Sequence, residues 1–182
     1  HEQNSVMGRS NRLLSKIADK VAVTYKTTKY ASNSCIFTGI PIRVKKEKKL
    51  EKKKEKKNLL IIGGSQGAKF FEEIMKNLIK NLDKQSKKEL FVIQQVREED
   101  ILNVKNFYKN HGIEFKIKNF FNNIYEEIAN ADIIISRCGS SSLAEIEYFK
   151  KFSILIPLPY STDNHQYYNA KEFKKKNNCV II

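Results

Sequence analysis

The stretch LLIIGGSQGAKFFEEIMKNLIKNL, Leu59–Leu82, decides how this chain is read. Leu59–Ile62 is a continuous apolar run, short enough for a strand covered on both faces. A turn containing Gly63, Gly64 and Gly67 follows, and then Phe70, Ile74, Leu78 and Leu82 recur at intervals of four. That spacing predicts a helix over Gln66–Leu82 with those side chains toward the core.

The same alternation continues toward the C-terminus. Strand patterns at Leu90–Gln95, Glu114–Lys118, Asp132–Ser136, Ile154–Ile156 and Cys179–Ile182 alternate with helical ones at Glu98–Asn110, Asn123–Ala131, Ser142–Lys151 and His165–Lys176. Such alternation predicts an α/β fold, a Rossmann-like parallel sheet with helices on both faces. Ligands of these sheets sit at the carboxyl ends of the strands, so functional residues are expected in the loops that follow them. Toward the N-terminus, Val6–Ala18 reads as a helix with Leu13, Leu14, Ile17 and Ala18 on one face, followed by short strands at Val21–Tyr25 and Cys35–Thr38.

Between the two halves lies KKEKKLEKKKEKK, Lys45–Lys57, whose nine Lys and three Glu carry +6 of the chain's +14. It reads as a charged linker or as an electrostatic contact with anionic lipid or nucleic acid. No aromatic residue interleaves with the lysines, so a base-stacking platform is missing and nucleic acid is not expected. Nothing in the 182 residues approaches the roughly 20 apolar residues of a membrane span. Cys35, Cys138 and Cys179 form no CxxC pair, which argues for free thiols rather than a disulfide frame or zinc site. The histidines show no ligand spacing either, so no metal and no cofactor is expected.

Two strand-to-helix turns carry candidate chemistry. In IIGGSQGAK, Ile61–Lys69, the glycines allow sharp turning and close approach, and Ser65 with the helix-start N–H groups can hold a phosphate. The turn matches neither GxxxxGK[ST] nor GxGxxG, so it is also consistent with a tight connection alone. In ISRCGSSSLAE, Ile135–Glu145, a small-residue turn of Gly139, Ser140, Ser141 and Ser142 starts a helix, and Glu145 sits one turn in. A carboxylate there can accept both hydrogen bonds of a ribose diol, or can compensate the helix N-terminus. Cys138 reads as a buried bystander thiol. In TGIPIR, Thr38–Arg43, Arg43 follows a proline-stiffened turn and can grip a diphosphate or lie on the surface. PLPYSTDNHQYYNA, Pro157–Ala170, packs Asp163, Asn164, His165, Gln166 and Asn169 into seven positions, a density of amide and imidazole groups suited to sugar hydroxyls.

Taken in order, HEQNSVMGRSNRLLSKIADKVAV, TGIPIR, GGSQGAK, SRCGSSSLAE and ILIPLPYSTDNHQYYNA resemble the MurG family. These are membrane-associated enzymes of the two-domain GT-B architecture. They transfer N-acetylglucosamine from UDP-GlcNAc to lipid I (undecaprenyl-pyrophosphoryl-MurNAc-pentapeptide), with inversion, forming lipid II for peptidoglycan. The resemblance implies that residues 1–43 end an acceptor-side domain, 44–57 form a linker, and 58–182 form the donor-binding domain. It implies a peripheral location on the cytoplasmic face of the bacterial inner membrane, against an anionic surface.

On these residues it places Asn4 near the donor sugar, Arg43 beside the nucleotide, and Ser65 on the diphosphate. It places the Phe121 backbone at uracil, Ser140, Ser141, Ser142, Leu143 and Ala144 under the nucleotide, Glu145 on the ribose, and His165 and Gln166 on the GlcNAc hydroxyls. Ile40, Met7, Phe152 and Cys138 depart from the residues usual in the family. The family's glycine-rich loop with its histidine base precedes HEQN, so the chain reads as an internal portion without its own base. A non-catalytic module binding a nucleotide-sugar or an anionic surface, or another GT-B UDP-sugar:lipid transferase, stands as the alternative.

Overall fold

The computed structural model describes residues 1–42 and 56–182, and residues 64–68 by backbone alone. Arg43 and the lysine-rich run up to Glu55 lie outside the described residues. The N-terminal part holds a short helix α1 (Arg9–Leu14) and a parallel pair, β1 (Ala22–Val23) and β2 (Ile36–Phe37). The rest alternates as expected: β3 (Lys57–Ile62), α2 (Gly64–Asn81), α3 (Lys84–Lys88), β4 (Leu90–Gln95), α4 (Ile101–Asn110), β5 (Glu114–Lys118), α5 (Ile124–Asn130), β6 (Ile133–Ser136), α6 (Ser140–Tyr148), β7 (Ser153–Leu155), α7 (His165–Lys174) and β8 (Cys179–Ile181).

These last strands form one all-parallel sheet of six, in the order β5-β4-β3-β6-β7-β8. The central strand β3 is apolar throughout its middle because it is covered on both faces. Leu59 and Ile61 face one layer, with Phe71, Met75 and Ile79 of α2 and Val104 and Tyr108 of α4. Leu60 faces the other, with Ile128 of α5, Leu143 and Ile146 of α6, and Phe173 of α7. Period-2 alternation along one strand thus divides the core into two. The outer strands differ in character: β5 carries Glu114, Lys116 and Lys118, whereas β8 leaves Val180 and the following Ile182 exposed.

Two expectations need correction. In α2 the buried stripe is Phe71, Met75 and Ile79, while Phe70 and Leu78 are more than a third exposed. Both stripes have helical spacing, and only packing on the sheet decides between them. The helix also begins at Gly64, so the GSQG segment is wound into its first turn. Near the N-terminus, the expected helix over Val6–Ala18 shrinks to α1. Val6 and Met7 are instead pinned as extended backbone against Lys29, and both are buried. The apolar face of α1 and its extension points outward: Leu13 is 68%, Leu14 54% and Ile17 83% exposed.

The N-terminal part is tied to the sheet domain through Asn169 in α7, which is fully buried. Its Oδ1 accepts from the Ser5 backbone N–H at 2.8 Å and the Ser5 hydroxyl at 2.9 Å. Its Nδ2 donates to Asn4 Oδ1 at 3.0 Å and to the Cys138 carbonyl at 3.1 Å. Around this hub, Arg12 pairs with Asp163 at 2.8 Å and Lys29 sits 3.5 Å over the Tyr168 ring. Removing the amide strands several buried partners at once. Asn169→Ala is therefore expected to lower the unfolding free energy by more than about 2 kcal/mol, since each buried polar group left unpaired costs about 1–3 kcal/mol. Denaturant unfolding checks this; a loss within a few tenths of a kcal/mol would mean that water replaces the amide.

Candidate functional site

From β3 the chain builds outward to β4 and β5, then returns to lay β6 on the other side of β3 and continues to β7 and β8. The register pairs Ile62 with Ser136, so the loops leaving β3 and β6 lie side by side. This is the switch point at which a doubly wound sheet opens a crevice. The loop after β3 enters α2 through Gly63, and the loop after β6 enters α6 through Gly139. Neither N-cap glycine caps its helix with a side chain, so the first N–H groups of both helices can receive an anion.

The glycines do not act by left-handed backbone. Gly63 has φ −106° and ψ −17°, and Gly139 has φ −65° and ψ 138°, both open to any residue. A Cβ added at Gly139 would meet nothing within 4 Å, so packing does not demand glycine there. Ser65, Gly64 and Gly67 lie in the first turn of α2.

In α6, Ser140 and Leu143 are buried, Ser141 is exposed, and Ser142 and Ala144 are half-buried. Glu145 is half-buried and hydrogen-bonded to the Tyr125 side chain of α5. Burial pushes its carboxyl above the usual range, and the Tyr125 bond offsets this only in part. Phe121, in the loop after β5, is buried in the core layer that also holds Leu143. Its ring is thus structural, and only its backbone is left to meet a ligand.

The loop after β7 is held in an unusual shape. Tyr160, Asp163 and Asn164 all have positive φ, at 60°, 54° and 52°. Aspartate and asparagine tolerate that region better than most residues. His165 turns its Nδ1 to the Thr162 carbonyl at 2.8 Å. Gln166 Oε1 accepts from the backbone N–H of Cys138 at 3.1 Å and of Leu158 at 2.9 Å. It therefore braces the loops after β6 and β7 against each other. With its oxygen committed in this way, the Gln166 side chain keeps Nε2 for any sugar hydroxyl.

Asn4 is fixed by Asn169 and by Glu2. Glu2 is almost fully buried and receives the Asn4 N–H and side chain, the Gly8 N–H and the Asn11 side chain. Burial alone would raise its carboxyl pKa, but these donors outweigh it and hold it below the usual range. A low-pKa carboxylate already saturated with donors is a poor base, so Glu2 locks the HEQN turn rather than receiving a proton. His1 is exposed and bonded to the Gly39 carbonyl at 3.0 Å. Burial pushes the Cys138 thiol up to about 12, as suits an inert thiol. Among the described residues no cluster of three or more His, Cys, Asp or Glu could hold a metal ion.

A cavity of about 510 Å³ lies between Tyr25 and Phe37 of the N-terminal part and Ser140, Ala144, Glu147, Tyr148 and Glu172 of α6 and α7. Ser140 and Ala144, expected under the nucleotide, line it together with Gly39, Ile40 and Ile42 of TGIPIR, whereas Glu145 and Gly63 do not.

Two residues of the site escape a reading of motifs. Asn169 was visible only as one of several amides; its burial and its bond to Asn4 require the fold. Arg137 follows β6 directly and is 9% exposed. It donates to the carbonyls of Ile156 at 3.2 Å and Pro157 at 3.0 Å, and stacks 4.1 Å from the Phe70 ring centroid. Burial pushes its pKa down, yet an arginine keeps its charge.

A Rossmann-like parallel sheet with two helix N-termini side by side at its switch point is the arrangement of a nucleotide-binding domain, as found in GT-B glycosyltransferases. More narrowly, the chain belongs to glycosyltransferase family 28, whose C-terminal domain matches residues 58–182. The chain is 40% identical to the UDP-N-acetylglucosamine--N-acetylmuramyl-(pentapeptide) pyrophosphoryl-undecaprenol N-acetylglucosamine transferase of Wolbachia sp. subsp. Drosophila simulans, over 100% of this chain and 53% of that protein. It is 39% identical to the transferase of the same name from Rickettsia bellii, over 94% of this chain and 51% of the relative. The crystal structure of Acinetobacter baumannii MurG superposes with a TM-score of 0.80 at 26% identity, covering 100% of this chain and 52% of that one. A glycosyltransferase of kitacinnamycin shares the fold, with a TM-score of 0.62 at 13% identity over 91% of this chain and 42% of that one. The MurG resemblance is thereby borne out, and the chain spans about half the length of the relatives it matches.

Glu145 gives a pH signature. Its folded pKa lies above the ordinary 4.5, so its contribution to stability is present below that value and is lost as pH rises through the folded value. Hydrogen bonding to a diol runs the other way, because only the carboxylate accepts twice. Uridine, which has no titrating phosphate, is expected to bind more weakly as pH falls through the raised Glu145 value, and Glu145→Gln to flatten that dependence. Calorimetric titrations across mildly acidic pH check this; parallel profiles for both proteins would remove Glu145 from the ribose.

Proposed function

We propose that this chain is the donor-binding portion of an inverting glycosyltransferase that moves N-acetylglucosamine from UDP-GlcNAc to lipid I, forming lipid II. One observation carries the reading: the loops leaving β3 and β6, which open α2 and α6, lie side by side at the switch point of the sheet. The names of the relatives agree with it. Residues 58–182 are the donor domain, 1–43 the end of the acceptor-side domain, and 44–57 the linker between them.

The roles are those that the family resemblance implies. The N–H groups at the start of α2, with Ser65 and Arg43, hold the diphosphate. The turn Ser140–Ala144 lies under the nucleotide, Glu145 takes the ribose diol, and the Phe121 backbone meets uracil. His165, the Gln166 amide nitrogen and Asn4 read the sugar. As the glycosidic bond breaks, charge grows on UDP, and preorganised N–H dipoles and cations stabilise it where it develops. The lipid I hydroxyl must lose its proton as it attacks. Neither Glu2, with its lowered pKa, nor the exposed His1 suits that task.

The membrane side of the reading rests on α1. Leu13, Leu14 and Ile17 are exposed beside the exposed cations Arg9, Lys16 and Lys20, a combination suited to an anionic lipid surface on the cytoplasmic face of the inner membrane. Among the described residues no helix is long and apolar enough to cross a membrane. In sedimentation with phosphatidylglycerol vesicles, Leu14→Ser with Ile17→Ser is expected to lose most of the binding; unchanged binding would turn attention to the lysine-rich run.

The donor reading is tested by calorimetry. The chain is expected to bind UDP in preference to ADP, and Glu145→Ala to weaken UDP by about 1–3 kcal/mol, the usual cost of losing a charge-assisted bond. Gln166→Ala is expected to weaken UDP-GlcNAc more than UDP. Equal affinity for UDP and ADP would sink the donor assignment, and equal losses for both ligands would leave Gln166 as a brace alone.

A further inference from the structure

Arg137 stands out among the charged groups. It is the first residue after β6, and since Ser136 pairs with Ile62, it lies next to the Gly63 turn that opens α2. Its guanidinium is buried between the Phe70 and Phe71 rings, 4.1 and 5.2 Å from their centroids, and the ends of β6 and β7. One nitrogen serves the carbonyls of Ile156 and Pro157, whereas Nε is buried with no hydrogen-bond partner. Among the described residues no carboxylate is ion-paired with it.

An unpaired buried cation is costly, and the protein keeps it only a loop away from the positive end of an 18-residue helix. Two neighbouring centres of positive potential with no described counter-ion suit a multiply charged anion held in the crevice. Carbonyl bonds and ring stacking fix the guanidinium in place, so it supplies a charge that does not reorganise when the anion arrives.

We propose that Arg137 is the fixed counter-charge beneath the diphosphate turn, setting the preference of the crevice for a nucleoside diphosphate over the uncharged nucleoside. The assignment rests on the donor reading above. It makes Arg137 a positioning residue of the phosphate site, acting across the turn, distinct from Arg43 and from the sugar-reading loop.

The test compares uridine with UDP by calorimetry on residues 1–182, for the wild type, R137K and R137Q, with unfolding followed by circular dichroism. The wild type is expected to bind UDP more tightly than uridine. R137Q, which loses the charge, is expected to lose about tenfold in UDP affinity while uridine changes little, as a single charge acting at short range in a partly buried site implies. R137K keeps the charge and is expected to keep most of the UDP-to-uridine ratio, even if it melts earlier. R137Q losing both ligands equally, or keeping the wild-type ratio, would overturn the proposal and leave Arg137 as a packing residue. If R137Q does not fold, R137K decides: a ratio reduced about tenfold despite the retained charge overturns the proposal equally. A wild type that binds UDP no better than uridine would instead fail the donor reading itself.

Discussion

One buried amide governs how this molecule holds together. Asn169 accepts from Ser5 and donates to Asn4 and to the Cys138 carbonyl, and so joins three segments that are distant in the chain. Only a primary amide offers both an acceptor and two donors in so little volume. Aspartate would add an unpaired buried charge, and leucine would strand the backbone groups. Because Asn169 lies on α7 one turn after Gln166, the helix that braces the loops after β6 and β7 also fixes the N-terminal turn. Cleft geometry and fold stability are therefore not separable here.

The switch point gathers positive potential on a rigid frame. Two uncapped helix N-termini, the buried Arg137 and the raised Glu145 carboxyl are each unfavourable, or at best neutral, for the empty fold. The left-handed Asp163 and Asn164 add local backbone strain in the loop entering α7. These costs cluster in the loops and helix starts that follow the strands, and the two apolar layers of the sheet supply the stability that carries them.

The sheet domain was legible because its information is local. Apolar runs bounded by turn residues located every strand from β3 to β8 within a residue or two, and β4 and β5 to the residue. The turns after β3 and β6 were visible as small-residue clusters before helical periodicity. Side-chain direction was harder. Phe70, Ile74, Leu78 and Leu82 make as regular a stripe as Phe71, Met75 and Ile79, and the twist of the sheet chose the second. The N-terminal helix was overextended because periodicity alone does not reveal that Val6 and Met7 are captured by Lys29. Short α3 has no apolar face to read; its mark is the Asp83 cap on Ser86. Arg137 and Asn169 were out of reach for another reason: their partners lie many residues away, and nothing in spacing announces a buried guanidinium or amide.

The two rims of the sheet have opposite colloidal characters. At β5, Glu114, Lys116 and Lys118 place charge at every second position, which discourages a foreign strand from docking. At β8, by contrast, the strand holds no charged residue and Val180 is exposed. The net charge of +14 adds a general repulsion between chains to the guard at β5.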